Sequence, residues 1–252
     1  MPIREQLIAA VGDEHGQEAA NRLCEACVAL FGVDAAAISL VVDGAHAATL
    51  GASDPTARVF DELQFTLGEG PSLDAVSAGT AVLVTNLAQT GGATRWSTYR
   101  RAIHVRGIGF VYATPIAIVG HHIGALTLFR AHPGMLTAQE LAGARVAAEL
   151  AEKPLLDLIK VDLQAAVADP DSQSWSELSA LTRIDVNQAT GMLVVQLNVE
   201  PAVALARLRA HAYATDRTPT DVARDILAHR LRLQANWGPE SGTGDAYPLR
   251  GV

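Results

Sequence analysis

The stretch that most constrains the fold is residues 181–233, because a helical pattern occurs there three times with almost no loop between the copies. Apolar residues at spacings of three and four predict a first helix over residues 176–197. Pro201 at a first helical position predicts a second helix through Ala214. Thr218, with a proline after it, predicts the capped start of a third helix. Three short helices in succession indicate a small all-α bundle.

A glycine interrupts the first of these helices. Gly191 costs about 1 kcal/mol there compared with alanine. We therefore expect another helix to cross closely at Gly191, where a side chain would obstruct the approach.

The second helix is expected to carry arginine and tyrosine on one surface. Arg209 and Tyr213 are four residues apart and hence neighbours on a helix, with Arg207, His211 and Arg217 nearby. A tyrosine beside a guanidinium group can stack an unpaired base while the cation holds phosphate. The alternative is that Tyr213 packs into the bundle and the arginines form a solvated surface.

Residues 1–150 are patterned differently and predict one antiparallel sheet with helices packed across it. Apolar segments within residues 36–50 flank Asp43-Gly44, which is a two-residue hairpin signal. A second pair of apolar segments lies within residues 108–130. Because hairpins join antiparallel strands and helical segments separate the pairs, the predicted class is α+β, followed by the all-α bundle.

The domain organisation follows from breaks in these patterns. Pro154 predicts a break in a long helix near Lys153, and Asp169-Pro170 marks a boundary. The last residues contain glycine and proline without periodicity, which is typical of a disordered tail. We predict a sheet domain at 1–150, a connecting helix and linker at 151–172, the helical bundle at 173–235 and a disordered tail at 236–252.

The charge is unevenly distributed. Residues 1–169 carry 11 of the 19 Lys and Arg and 18 of the 27 Asp and Glu, which leaves 8 basic and 9 acidic residues for the rest. The acidic excess therefore belongs to the first part. Bulk charge cannot attract nucleic acid to such a chain, so any contact with nucleic acid depends on local placement in the second part.

The chain shows no membrane or export signal. Its longest apolar runs are broken by Gly, Thr and Pro and are shorter than a bilayer span. The first residues become charged before an apolar signal region is formed. We expect a cytoplasmic protein with no membrane partner.

Two cysteines, Cys24 and Cys27, form a Cys-x-x-Cys sequence within a helical apolar pattern. No second ligand pair of suitable spacing accompanies them. We interpret both as buried thiols and expect no metal site, with redox chemistry as the alternative.

The sheet domain resembles GAF domains of the actinobacterial type over about residues 18–150. The motifs that carry the resemblance are LGEGPS, the strand ending in ATPI, and IGALTLFR. The resemblance implies a sensor that holds a small molecule between the sheet and its covering helices. The implied pocket residues are Glu69, Ser72, Trp96, Tyr99, Phe110, Tyr112 and Thr114.

The GAF resemblance leaves the cofactor unknown, because this fold holds cyclic nucleotides, haem, bilins or nothing. The later half has no cysteine that would attach a bilin. His104, His121, His122 and His132 suit haem by residue type only, and the central two lie in a predicted hairpin turn. An unidentified small ligand and a domain that only dimerises remain as alternatives.

The bundle resembles an ANTAR domain, the three-helix RNA-binding module of transcription antitermination regulators, over residues 181–231. The motif is IDVNQATGMLVVQLNVEPAVALARLRAHAYATDRTPTDVARDIL, and Thr190 departs from the basic residue that many members carry there. The resemblance implies binding of paired RNA stem-loops by a homodimer, since two linked hairpins suit two copies. The implied RNA-binding residues are Ala189, Gly191, Met192, Arg207, Arg209, Ala212, Tyr213 and Arg217.

Together the resemblances imply a signal-responsive regulator, not an enzyme, whose GAF domain controls RNA binding by its ANTAR domain. A DNA-binding regulator with a GAF sensor is the first alternative, since three terminal helices can form a helix-turn-helix. Asp221 and Asp225 make the last helix a poor surface for the DNA major groove. A GAF thiol enzyme is the second alternative, and it would depend on Cys24 and Cys27.

Overall fold

The computed structural model describes residues 1–42, 44–88, 95–159 and 183–234. The part up to residue 159, here called the sheet module, contains one five-stranded sheet. Its strands are β1 (Ala35–Val42), β2 (Ala45–Ala52), β3 (Val82–Val84), β4 (Phe110–Ile118) and β5 (His121–Arg130). They lie in the order β2-β1-β5-β4-β3, and every neighbouring pair is antiparallel. The predicted α+β class with one antiparallel sheet is confirmed.

Helices cover both faces of this sheet. They are α1 (Ile3–Val11), α2 (Gly16–Phe31), α3 (Pro55–Leu67), α4 (Pro71–Ala78), α5 (Ser97–Val105), α6 (Ala138–Leu150) and α7 (Glu152–Ile159). One face packs with α1, α2, α6 and α7 around Phe31 and Leu126. The other packs with α3 and α5 around Phe60, Tyr99 and Phe129. The sheet therefore separates two apolar cores.

Local capping fixes where two of these helices begin. The Asp54 carboxylate accepts hydrogen bonds from the backbone N–H groups of Thr56 and Ala57, at 2.6 and 2.9 Å. Thr137 and Glu140 form a reciprocal capping box at the start of α6. Both caps join residues that lie within three positions of one another in the sequence. Each such cap contributes about 1 kcal/mol to helix stability.

The C-terminal part, here called the bundle, consists of residues 183–234. Its helices are α8 (Ile184–Leu197), α9 (Pro201–Ala214) and α10 (Pro219–Leu227). They enclose an apolar core that includes Ala189, Leu193, Leu208 and Ile226. The three predicted helices are confirmed, although residues 176–182 of the first lie outside the described residues.

One packing expectation for the bundle is wrong. Gly191 is exposed, and a methyl group built on it would meet nothing within 4 Å. No helix of the described residues therefore crosses closely at this glycine. Its cost in helix stability is not offset by a close approach of any described residue.

The region between the two modules differs in detail from the prediction. The helix breaks at Ala151, two residues before the predicted position, because Pro154 is accommodated in the first turn of α7.

Helix α1, which buries Leu7 completely, has no counterpart among the predicted elements. The predicted linker beyond residue 159 and the predicted tail at 236–252 lie outside the described residues.

The bundle packs against the sheet module through α9 and α3. Phe65 of α3 is 5% exposed and belongs to the apolar cluster of the bundle, together with Val186 and Leu208. At the rim, Arg106 lies 3.3 Å from the Asp216 carboxylate. Helix α3 therefore has one side against the sheet and one side against the bundle.

Within the described ranges, no single helix is long and apolar enough to cross a membrane. Helices α8 and α9 meet these criteria only as a pair, and that pair is bent by 109°.

Candidate nucleic-acid interface

Helix α9 places the predicted base-stacking residues beside the sheet module. Ala204, Leu208 and Ala212 form its fully buried side, which packs into the bundle. Arg209 and Tyr213, one turn apart, lie on the adjacent side, and both face α3. The helical period that buries the first set therefore directs the second set toward the other module.

The centre of this interface is the ring of Phe65. The guanidinium carbon of Arg183 lies 3.8 Å from the ring centroid, and that of Arg209 lies 4.3 Å from it. Arg183 also donates from Nε to the carbonyl oxygen of Ala47, at 2.7 Å. Two cations thus stack on one aromatic ring, and one of them is tied to strand β2.

The two guanidinium groups in this contact are only partly compensated for their burial. Burial, and then the nearby charge of Arg183, lower the pKa of Arg209 to about 10. Burial likewise lowers the pKa of Arg183. The buried Nε of Arg209 has no hydrogen-bond partner among the described residues. At Arg183 the charges of Glu62 and Asp61 act against burial. The stacked pair therefore consists of one cation near carboxylates and a second cation, Arg209, whose burial is less compensated.

A cavity of about 340 Å³ lies between α3 and the turn from α9 to α10. Its walls include Glu62 and Thr66 from α3, and Tyr213 and Arg217 from the bundle. Tyr213 is 37% exposed. The predicted aromatic platform thus opens on a small space that the sheet module closes on one side.

The eight predicted RNA-binding residues do not form one continuous surface. Ala189 and Ala212 are fully buried in the bundle core, so they shape helix packing and cannot reach RNA in this arrangement. Met192 packs half-buried against that core, and Gly191 is exposed on α8. Arg207 is half-buried on α9. The remaining three, Arg209, Tyr213 and Arg217, lie on the side that faces the sheet module.

Ion pairs occupy the arginines of α10 and its neighbours. Arg224 contacts Asp185 at 2.9 Å, and Arg217 and Arg230 both contact Asp225, at 2.6 Å. Hydrogen bonds from Arg217 and then Arg230 lower the pKa of Asp225. Arg224 of the last helix and the two arginines that flank this helix are therefore already paired with carboxylates.

The seven predicted pocket residues do not line a common pocket, because the sheet divides them. Phe110 and Tyr112 belong to the core on the α2 and α6 side. Thr114 is on the same side, since alternate residues of a strand share a face. Trp96 and Tyr99 belong to the opposite core, against α3.

The two loop residues of that prediction have structural partners. Glu69 Oε1 accepts hydrogen bonds from the backbone N–H groups of Thr98 and Tyr99, both at 2.9 Å, and so caps α5. Ser72 donates from its backbone N–H and its hydroxyl to Gln64 Oε1, both at 2.8 Å. These residues hold α3, α4 and α5 together.

Behind Phe65, α3 carries a fully buried carboxylate, Asp61. It accepts hydrogen bonds from Ser39 and Thr49, both at 2.7 Å, and from Gln64 at 3.0 Å, and it pairs with His46 at 2.8 Å. Burial alone would raise the pKa of Asp61. The attraction of His46 and the hydrogen bonds outweigh burial, so the pKa lies below the usual 3.8.

Cys24 and Cys27 are both fully buried in α2. Burial raises the pKa of each thiol, and for Cys24 the neighbouring Cys27 adds to the effect. Thiols of this kind are protonated and inert. Within the described ranges, no three His, Cys, Asp or Glu side chains are grouped so that they could hold a metal ion.

Sequence reasoning missed two residues of the interface, Phe65 and Arg183. Phe65 lies in an apolar helix where the same pattern fits a residue of the sheet module's own core. Arg183 precedes α8 with a φ of +47°, which is uncommon for a residue other than glycine. Neither residue gives a sequence signal that distinguishes contact between modules from contact within one.

The fold agrees with comparisons to known families. A family model described as GAF domain matches residues 16–152, and a second described as ANTAR domain matches residues 179–227. The first match spans more than half of the chain, so the chain belongs to the GAF domain family. With the ANTAR match it is a GAF and ANTAR regulator. A search of curated proteins found no match.

Solved structures are similar to this chain at low identity. The GAF domain of an Acinetobacter phosphoenolpyruvate-protein phosphotransferase is 9% identical, with 63% of this chain and 94% of that chain covered and a TM-score of 0.49. A free methionine-R-sulfoxide reductase from Neisseria meningitidis is 16% identical, with coverage of 62% and 87% and a TM-score of 0.44.

A third structure is the chromophore-binding domain of a Stigmatella aurantiaca bacteriophytochrome, which is 11% identical with a TM-score of 0.43. The match covers 61% of this chain and 59% of that chain.

Proposed function

We propose that this protein is a signal-responsive regulator that binds paired RNA stem-loops through its ANTAR domain and promotes transcription antitermination, under control of its GAF domain. The proposed domains are 1–150 for GAF, 151–172 for the connection, 173–235 for ANTAR and 236–252 for a tail. Its active form is a homodimer, in which the two bundles engage two linked hairpins and the second contact becomes intramolecular.

The observation that carries this proposal is the side of α9 with Arg209 and Tyr213, within the segment that matches the ANTAR model. A guanidinium group and a phenol one helical turn apart can stack an unpaired base and hold its phosphate. Arg209 already makes a stacking contact of this kind, with Phe65 as the aromatic partner.

RNA is favoured over duplex DNA by the charges of α10. A recognition helix in the major groove needs unpaired donors and cations. Here Arg224 and Arg230 are paired with Asp185 and Asp225, and Asp221 adds a further carboxylate. The bundle therefore suits a selective contact with a loop better than insertion into a groove.

An enzymatic role for the sheet module receives no support from its thiols. A nucleophilic cysteine requires a lowered pKa and access to substrate. Cys24 and Cys27 have raised pKa values and are buried. We therefore infer a sensing role instead of thiol chemistry.

The proposed ligand of the sensor is a small polar molecule on the α3 side of the sheet. Tyr99 and Thr127 lie on that side, and both hydroxyl groups are buried with no partner among the described residues. A ligand there would satisfy these groups. Native mass spectrometry of the purified protein is expected to show an adduct that weakens in Tyr99→Phe, whereas equal spectra of both proteins would contradict this site.

RNA binding by the bundle is tested by crosslinking RNA to the protein in its own cell and sequencing the crosslinked RNA. Enrichment of paired stem-loops upstream of terminators is expected for the wild type and should be lost in Arg209→Gln and Tyr213→Ala. Arg4→Gln is the matched control, because Arg4 is an exposed arginine of α1 that pairs only with Glu149 among the described residues. Equal crosslinking of wild type and both bundle variants would contradict the proposal.

A further inference from the structure

We propose that Phe65 occupies the place of a stacked RNA base on the ANTAR bundle, so that docking of the GAF domain and binding of RNA are mutually exclusive. This inference rests on the proposed function and adds the surface by which the GAF domain controls it.

The first step is the nature of the contact. Guanidinium groups stack on RNA bases in the same way as they stack on aromatic side chains. Phe65 places its ring 4.3 Å from the guanidinium carbon of Arg209, which the proposed function assigns to base stacking. One face of a guanidinium cannot stack on a phenyl ring and on a base at the same time.

The second step is the surrounding space. Tyr213 lies beside the cavity that α3 closes, and the carboxylate of Glu62 is part of the cavity wall. The wall also contains Asp216 and the cations Arg106 and Arg217, so RNA phosphate would meet charges of both signs there. While the modules are docked, α3 therefore closes one side of the space that a base stacked on Tyr213 would need.

The third step is that the docked contact is suited to release. Arg183 and Arg209 are like charges on one ring, and the buried Nε of Arg209 has no acceptor among the described residues. Undocking returns both cations to water or to RNA phosphate. The interface therefore combines an aromatic attraction with an electrostatic cost that a polyanion removes.

The fourth step links the contact to the sensor. Phe65 follows Gln64 directly and lies one turn after Asp61 on α3. Asp61 and Gln64 bind the sheet and the start of α4 through buried hydrogen bonds. Any ligand that shifts α3 relative to the sheet must also shift the ring on which the bundle is docked.

The experiment uses the full chain and two readouts. Small-angle X-ray scattering reports docking, and fluorescence anisotropy reports binding of a synthetic RNA with two linked stem-loops. Phe65→Ala should enlarge the radius of gyration and tighten RNA binding by about tenfold or more, because the apparent affinity rises with the competent fraction. Arg183→Gln should act in the same direction and serves as the second variant if Phe65→Ala is poorly folded.

Two further variants separate the possible outcomes. Arg209→Gln should also enlarge the chain but weaken RNA binding, because it removes a residue that both contacts use. Ile8→Ala, which truncates a 50% exposed apolar side chain on α1, should change neither readout.

Competition is overturned if Phe65→Ala and Arg183→Gln leave the radius of gyration unchanged. It is also overturned if they enlarge the chain while RNA affinity stays at the wild-type value, and in that case RNA binding itself stands. Opened variants that bind no RNA at all contradict the proposed function, and the competition with it.

Discussion

The two sides of α3 differ in how their charged groups are compensated. Toward the sheet, the buried carboxylate of Asp61 has four hydrogen-bonding neighbours, which are Ser39, His46, Thr49 and Gln64. Toward the bundle, Phe65 holds two arginines: the charges of Glu62 and Asp61 attract Arg183, and the buried Nε of Arg209 has no hydrogen-bond partner among the described residues. The comparison indicates that the first side is a permanent part of the fold, whereas the second is a contact that can be exchanged.

The largest loss of stability is expected when the hydrogen-bond network of Asp61, on the sheet side of α3, is disrupted. Asp61→Asn keeps the shape but removes the charge that His46 and the hydroxyl groups require. Removal of one partner from a buried pair costs about 3–5 kcal/mol. The free energy of unfolding from a urea titration, followed by circular dichroism, checks this, with the exposed Asp13→Asn as control. A loss below about 1 kcal/mol would show that the network is not a structural centre.

Part of the stability of the sheet module should depend on the ionisation of this same carboxylate and so be lost in acid. The folded-state pKa of Asp61 is below 3.8, so its stabilisation is fully present above 3.8 and is lost as the pH falls through the folded-state value. The stability gap between wild type and Asp61→Asn should therefore narrow below about pH 4. Urea titrations at a series of pH values measure this difference in unfolding free energy. A difference that stays constant with pH would show that Asp61 does not stabilise the fold through its charge.

A smaller effect is expected when a single hydroxyl donor is removed. Ser39→Ala deletes the 2.7 Å hydrogen bond to Asp61 with little change in volume. Hydrogen bonds to charged groups contribute about 1.5–3 kcal/mol. The unfolding free energy should fall by that amount and less than in Asp61→Asn. Equal losses in the two variants would mean that the network fails as a unit.

The smallest loss of stability is expected from a substitution on the side of α3 that contacts the bundle. Phe65→Ala removes a ring that belongs to the apolar cluster of the bundle and makes a tilted contact with His46 of the sheet module, at 6.3 Å between ring centroids. The sheet module should therefore lose less than about 1 kcal/mol, in contrast to about 3–5 kcal/mol for a core variant such as Phe129→Ala. The urea midpoints of the two variants test this, and similar losses would place Phe65 in the permanent core.

The fold was largely predictable from the sequence because its signals are local. The Asp54 cap, the Thr137 capping box and the hairpin at Gly44 all depend on residues within a few positions of one another. Helix α1 was missed because its start is charged and only Leu7 is deeply buried. The close approach expected at Gly191 was wrong because a glycine in a helix does not reveal whether a neighbour is present.

The sites were less predictable because they depend on contacts that are distant in sequence. Phe110 and Tyr112 were grouped with Trp96 and Tyr99, but strand alternation directs them to opposite cores. Residue type alone could not show that Asp61 would gather partners from β1 and β2. The contact of Arg209 with Phe65 spans more than a hundred positions, so no local pattern encodes it.

The most direct test of the exchange is fluorine NMR of the full chain labelled with fluorophenylalanine. The five phenylalanines give a small set of resonances, and Phe65→Leu identifies the one from Phe65. Saturation with the two-hairpin RNA should move this resonance to the solvent-exposed position that it takes in Arg209→Gln. If anisotropy shows bound RNA while the Phe65 resonance stays where it is in the free protein, the two contacts coexist and the account is contradicted.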